Sequence, residues 1–128
     1  MSEQVPLFLA PMAGVTDVAY RLLAREAGAD FTATEFTAAS GLSRKDAKSW
    51  AKVETHHRES PFIPQIFGGI EDEMVETARL LSETADVIDL NFGCPAPKVT
   101  KTCAGAAMMA EPDNLVSMVS RCIEASDK

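Results

Sequence analysis

DVIDLNFGCPAPKVTKTCAG, residues 86–105, joins a short apolar run to a Cys-Pro corner and then to a small basic loop. Val87, Ile88 and Leu90, with Asp89 among them, form a run too short for a helix and read as a strand of a parallel sheet over Asp86–Asn91. Pro95 and Pro97 stop its continuation, since each lacks a backbone donor and restricts the residue before it. Asn91 and Cys94 therefore sit at or just beyond the carboxyl end of a strand, where parallel α/β folds bind ligands.

Working outward, the same unit recurs. Val5–Met12 is an apolar run ended by a turn at Ala13-Gly14-Val15, and Thr16 is a candidate N-cap for a helix through Ala27, with Gly28 as its left-handed stop. Val18, Leu22 and Leu23 are the expected buried face of that helix. Asp30–Thr37 reads as a second strand, and Ser43 as the cap of a short helix to about Ala51. Phe62–Phe67 reads as a third strand despite Pro64. Residues 71–84 place Met74, Ala78, Leu81 and Ala85 on one face of a helix whose first turn is acidic. Pro112 opens a last helix through Ala125, with Leu115, Val119, Cys122 and Ile123 expected inward. Tyr20 and Trp50 are read as packing residues.

Four strand–helix units in succession imply a parallel sheet. An open α/β sandwich fits that pattern, and so does the N-terminal half of an eight-fold β/α (TIM) barrel, which needs ~250 residues to close. AGVTD after the first strand is not the GxGxxG phosphate fingerprint, which weakens the nucleotide-binding sandwich. Residues 1–128 show no linker and read as a single domain.

The 128 residues are 46% hydrophobic and 24% charged, the composition of a globular domain. No basic leader precedes the first apolar segment and no run is long enough to span a membrane, so a cytoplasmic location is the default expectation. The three cysteines, Cys94, Cys103 and Cys122, lack Cys-x-x-Cys spacing and read as reduced thiols with no metal site. A net charge of −7 argues against the whole surface being a polyanion-binding face. The basic residues between Arg44 and Arg58 read as a solvated face.

Three segments carry more than periodicity can. Asn91-Phe92-Gly93-Cys94-Pro95, with Lys98-Val99 and Ala104-Gly105-Ala106 downstream, resembles the signature of the tRNA-dihydrouridine synthases, flavin enzymes that reduce uridine in tRNA. Ala10-Pro11-Met12-Ala13-Gly14-Val15-Thr16-Asp17 and Gln65-Ile66-Phe67-Gly68 resemble that family's other N-terminal motifs, in the same order. The resemblance implies an FMN cofactor, a nicotinamide reductant (NADPH or NADH) and a tRNA substrate. It further implies that Pro11, Met12 and Ala13 lie against the isoalloxazine, that Gln65 hydrogen-bonds the ring, and that Asn91 shares that pocket. Amides suit this work because each carries a donor and an acceptor.

Cys94 is the expected catalytic acid. Reducing uracil takes a hydride at C6 and a proton at C5, and a thiol is mostly protonated at neutral pH and uncharged in a closed pocket. Cys122 and Cys103 read as small buried hydrophobes. Lys98, Lys101 and Arg44 are candidates for contacts to RNA phosphates. In the family the barrel continues and a helical domain follows, so the chain resembles the N-terminal half of a synthase, which would bind FMN weakly or not at all and self-associate through its open edges. Two other readings remain: a dihydroorotate-dehydrogenase-like flavoprotein, in which such a cysteine is a base, and a non-catalytic half-barrel serving as a binding module.

Overall fold

The computed structural model describes residues 5–128. β1 (Phe8–Leu9) pairs in parallel with β2 (Phe31–Thr32), Phe8 beside Phe31. β3 (Thr37–Ala38), β4 (Gln65–Phe67) and β5 (Asp89–Leu90) form a second parallel set in that order. A bridge between Ala33 and Ile63 continues the β2 segment onto the β4 segment. Among the described residues the strands are thus parallel and ordered along the chain, and they do not close into a ring.

The expected second strand, Asp30–Thr37, is split. Ala33 lies opposite Ile63 and Thr37 opposite Ile66, so four steps on one side match three on the other. That single extra residue is a β-bulge. It accommodates Pro64, which has no N–H to give the ladder. Beside it the N–H of Gln65 is met by the Thr34 hydroxyl at 3.0 Å.

Helices alternate with these strands. α1 (Val18–Glu26) follows β1, α2 (Ala39–Ser43) and α3 (Ala47–Lys52) follow β3, and α4 (Glu71–Leu81) follows β4. After β5 come α5 (Pro97–Thr100), a 3-10 turn at Gly105–Ala110, and α6 (Pro112–Ala125). The main apolar cluster lies between sheet and helices and includes Leu42, Ile66, Met74, Ala78, Leu81, Met118 and Cys122. The stripe read on 71–84 is buried throughout, Ala85 included.

Several local expectations are displaced. The α1 cap is Asp17, whose side chain accepts from the Tyr20 N–H at 2.8 Å. Thr16 is not free to cap, because its hydroxyl closes the preceding turn on the backbone N–H and C=O of Met12. Leu23 is 63% exposed and Tyr20 is also exposed, while Arg21 is fully buried. Arg21 can be buried because it ion-pairs with buried Glu59 and donates to the carbonyls of Thr16 and Glu54. Ser43 does not cap the helix expected to run to about Ala51: it is the last residue of α2, the chain turns at Lys45 with φ 60, and Asp46 caps α3 by accepting from the Ser49 N–H. On α6 the buried positions are Met118 and Cys122, and Ile123 is exposed. Leu115 packs on the core as expected, and Arg121 ion-pairs with Glu71 and Asp72 at the start of α4. Trp50 packs on the core and donates from its indole to the Leu42 carbonyl at 3.1 Å.

Among the described residues no helix is long and apolar enough to cross a membrane. Exposed apolar side chains gather at β1 and its approach, with Val5, Leu7 and Phe8, and recur at Val87 before β5.

Candidate functional site

β4 and β5 run in register, with Gln65 beside Asp89 and Ile66 beside Leu90. Gln65 is 8% exposed, and its Nε2 donates to Asp89 Oδ2 at 2.7 Å. Asn91, just past β5, donates from Nδ2 to Gln65 Oε1 at 3.2 Å. Its Oδ1 accepts from the backbone N–H of Gly93 and of Cys94, each at 3.0 Å. This asparagine turn, a local side-chain-to-backbone motif, ends the strand and fixes the backbone of Cys94. Pro95 then forbids continuation, and Pro97 starts α5.

The corner is held from the other side as well. The Ala106 N–H donates to the Cys94 carbonyl at 3.0 Å. Gly105 makes this approach possible: it has φ +58, and a Cβ there would lie 2.5 Å from the Cys94 carbonyl oxygen.

Pro11 and Ala13 after β1, Phe36 before β3, Gln65 at the first position of β4, and Asn91 and Cys94 after β5 line one cleft of about 450 Å³. Residues from positions 11 to 94 thus converge there. Met12 is exposed and is not among the lining residues; its backbone carbonyl accepts from Val15 and Thr16 in the turn that carries its neighbours to the cleft. Cys94 is half-buried, Cys103 exposed with φ 53, and Cys122 buried. Burial, with the nearby Glu71 carboxylate second, pushes the Cys122 thiol up.

The basic candidates lie to one side. Lys98 and Arg44 line a common groove of about 370 Å³ over Gly68 and Gly69, and the Arg44 guanidinium contacts Glu73 at 2.5 Å. Lys101 is exposed at the end of α5 and lines neither cavity. Lys52 pairs with Glu35 at 3.7 Å and Arg58 with Glu26 at 3.1 Å, which agrees with a solvated charged face over 44–58. Among the described residues no cluster of three or more His, Cys, Asp or Glu side chains could hold a metal ion.

Two polar residues here were given no role in the reading of the sequence. Glu35, in the bulge, accepts from the Gly14 N–H at 2.9 Å and so ties the Ala13 turn to the second strand. Asp89 contacts Gln65. In each case a carboxylate inside an otherwise apolar or Thr-rich strand was the available signal, since a strand-buried charge needs a partner.

Parallel strands alternating with helices, with Asn91 and Cys94 just past β5 and Gln65 beside them on β4, put the chain in the parallel α/β class of folds. The family model described as Dihydrouridine synthase (Dus) matches residues 8–128, and the chain belongs to that family. It is 39% identical to the probable tRNA-dihydrouridine synthase of Treponema pallidum (strain Nichols), over 93% of this chain and 36% of that protein. To the probable tRNA-dihydrouridine synthase of Rhizobium leguminosarum bv. phaseoli it is 36% identical, over 99% of this chain and 40% of the relative. To tRNA-dihydrouridine synthase B of Escherichia coli (strain K12) it is 37% identical, over 94% of this chain and 38% of the relative. The chain therefore spans 36–40% of the length of these curated relatives.

Proposed function

We propose that the chain is the cysteine-bearing N-terminal part of an FMN-dependent tRNA-dihydrouridine synthase, which reduces the C5–C6 bond of uridine in tRNA at the expense of NADPH or NADH. The observation that carries this reading is the gathering of Cys94, Asn91 and Gln65 with Pro11 and Ala13 around one cleft. The names of the relatives favour it over the dihydroorotate reading and over a half-barrel without catalysis.

The cleft residues suit a flavin ring: Pro11, Ala13 and Phe36 supply flat apolar wall, and Gln65 and Asn91 supply directed donors and acceptors. Held against these residues, FMN reduced by the nicotinamide would supply hydride chemistry toward uracil C6. Cys94 holds the proton on Sγ and delivers it to C5, and the resulting thiolate regains a proton from solvent. Asn91 fixes the Cys94 backbone through two accepted hydrogen bonds, which favours a reproducible thiol position. Met12 belongs to the segment assigned to the flavin wall and contributes through its backbone turn. Lys98, Lys101 and Arg44 offer charge to tRNA phosphates, with Arg44 having to exchange Glu73 for phosphate.

The four parallel strand segments in chain order, open at both outer edges, support reading residues 1–128 as half of a β/α barrel. The exposed Val5, Leu7, Phe8 and Val87 favour self-association of the isolated chain. A protein acting on tRNA is expected in the cytoplasm.

The test uses a full-length family enzyme carrying this segment, prereduced and mixed anaerobically with tRNA in a stopped-flow instrument. Cys94→Ala should slow flavin reoxidation by roughly 10²–10⁴-fold, the usual loss on removing a general acid, while leaving reduction by the nicotinamide nearly unchanged. Cys103→Ala should retain most activity. Wild-type reoxidation by Cys94→Ala would sink the assignment.

A further inference from the structure

One carboxylate beside the cleft has no part in the chemistry above. Asp89 lies directly across from Gln65 on the neighbouring strand and accepts from Gln65 Nε2 at 2.7 Å. A carboxylate only accepts, so the Gln65 amide must turn its nitrogen toward Asp89 and its oxygen away. That oxygen meets the Asn91 Nδ2 at 3.2 Å. Asn91 then directs Oδ1 at two backbone N–H groups, those of Gly93 and Cys94.

The chain of hydrogen bonds is thus acceptor-only at one end and donor-only at the other. Each amide between them has a single allowed orientation. Flipping Gln65 would set its oxygen against the Asp89 carboxylate and its NH2 against that of Asn91. Flipping Asn91 would aim an NH2 at two N–H groups. Unmet polar groups in such half-buried positions are costly, so the polarity is enforced from both ends.

We infer that Asp89 is a positioning residue that sets the donor–acceptor polarity of the cleft: it orients Gln65, and through Gln65 it orients Asn91 and the Cys94 corner. These two bonds use one N–H of Gln65 Nε2 and one lone pair of Oε1, which leaves one donor and one acceptor on the amide for a ligand in the cleft that Gln65 lines. Adjacent acceptor and donor groups on the edge of a planar heterocycle, as in a cyclic imide, match that pair. Removing Asp89 frees Gln65 to present the reversed pattern.

The test needs neither cofactor nor tRNA, so its outcome is separate from that of the catalytic reading. In the 15N-labelled chain the side-chain amides are few: Gln4, Gln65, Asn91 and Asn114. The Gln65 pair is identified by its disappearance in Gln65→Glu. In the unsubstituted chain one Gln65 Nε2 proton should exchange with water at least about tenfold more slowly than a free glutamine amide, as a hydrogen bond to a charged acceptor implies. Asp89→Leu should remove that protection, and Asp89→Asn, which can turn its carbonyl oxygen to the same proton, should restore most of it. A purely packing role for Asp89 predicts no special protection in the unsubstituted chain and no difference between Asp89→Leu and Asp89→Asn. Gln65 protons exchanging freely in the unsubstituted chain would overturn the inference, whether or not Asp89→Leu folds. So would protection that persists in a folded Asp89→Leu chain.

Discussion

Arg21→Ala should be among the most damaging single substitutions in the chain, although Arg21 touches no part of the cleft directly. Arg21 and Glu59 have fully buried side chains, with the guanidinium on both carboxylate oxygens and on the carbonyls of Thr16 and Glu54. Truncation leaves the carboxylate with the hydroxyls of Thr32 and Thr55, and leaves two carbonyls without this donor. Breaking a buried pair in this way costs about 3–5 kcal/mol. A small domain has only about 5–15 kcal/mol in total. With a urea slope of about 2 kcal/mol/M, a loss of about 4 kcal/mol lowers the midpoint by about 2 M. Circular dichroism during urea titration reads this shift. The double variant Arg21→Met, Glu59→Leu should be more stable than Arg21→Ala, because it removes both charges rather than stranding one. A midpoint for Arg21→Ala that corresponds to a loss below about 1 kcal/mol, the scale of a solvated surface pair, would refute the reasoning. The pair also matters for the site: its bond to the Thr16 carbonyl anchors the turn that carries Pro11 and Ala13 to the cleft.

Gly105→Ala would set a Cβ 2.5 Å from the Cys94 carbonyl oxygen and 2.8 Å from Val99 Cγ1, at a φ that L-residues rarely adopt. It should cost about 1–3 kcal/mol in thermal melts and change the alkylation rate of Cys94 more than that of Cys103; equal rates before and after substitution would count against the tight corner. Iodoacetamide labelling followed by mass spectrometry should modify exposed Cys103 first and buried Cys122 last. With its folded pKa raised, Cys122 contributes stability that is full below the unfolded thiol value and is lost as pH rises through the folded one, so Cys122→Ala should flatten the alkaline limb of the stability profile. Asp46 is held low by the Ser49 hydroxyl and N–H, so its contribution is full above its ordinary 3.8 and is lost as pH falls through the lower folded value. Asp46→Asn should reduce the acid-side slope of melts recorded between pH 2 and 5, and an unchanged slope would mean that the cap does not form.

The alternation of strands and helices was legible because it rests on local chemistry. The stripe from Met74 to Ala85 has one helical face, Pro112 tolerates a first turn and nothing later, and Gly28, with φ 107, ends α1 where an L-residue would be strained. Pro11, Ala13, Gln65, Asn91 and Cys94 were legible as motifs, whereas spacing alone could show neither that they share one cavity nor that Phe36 lines it and Met12 does not. What depends on contacts between distant residues was out of reach. Thr16 gives up the α1 cap because its hydroxyl is already used on Met12, and Leu23 is exposed while Arg21 is buried because Glu59, thirty-eight residues away, supplies the countercharge. The bulge at 34–36 comes from a register between two strands, which neither strand specifies alone. Asp89 was visible as a charge within an apolar run, but its partner emerged only when parallel pairing set Gln65 beside it. Periodicity is a property of neighbours in the chain, whereas register, ion pairing and amide orientation belong to neighbours in space.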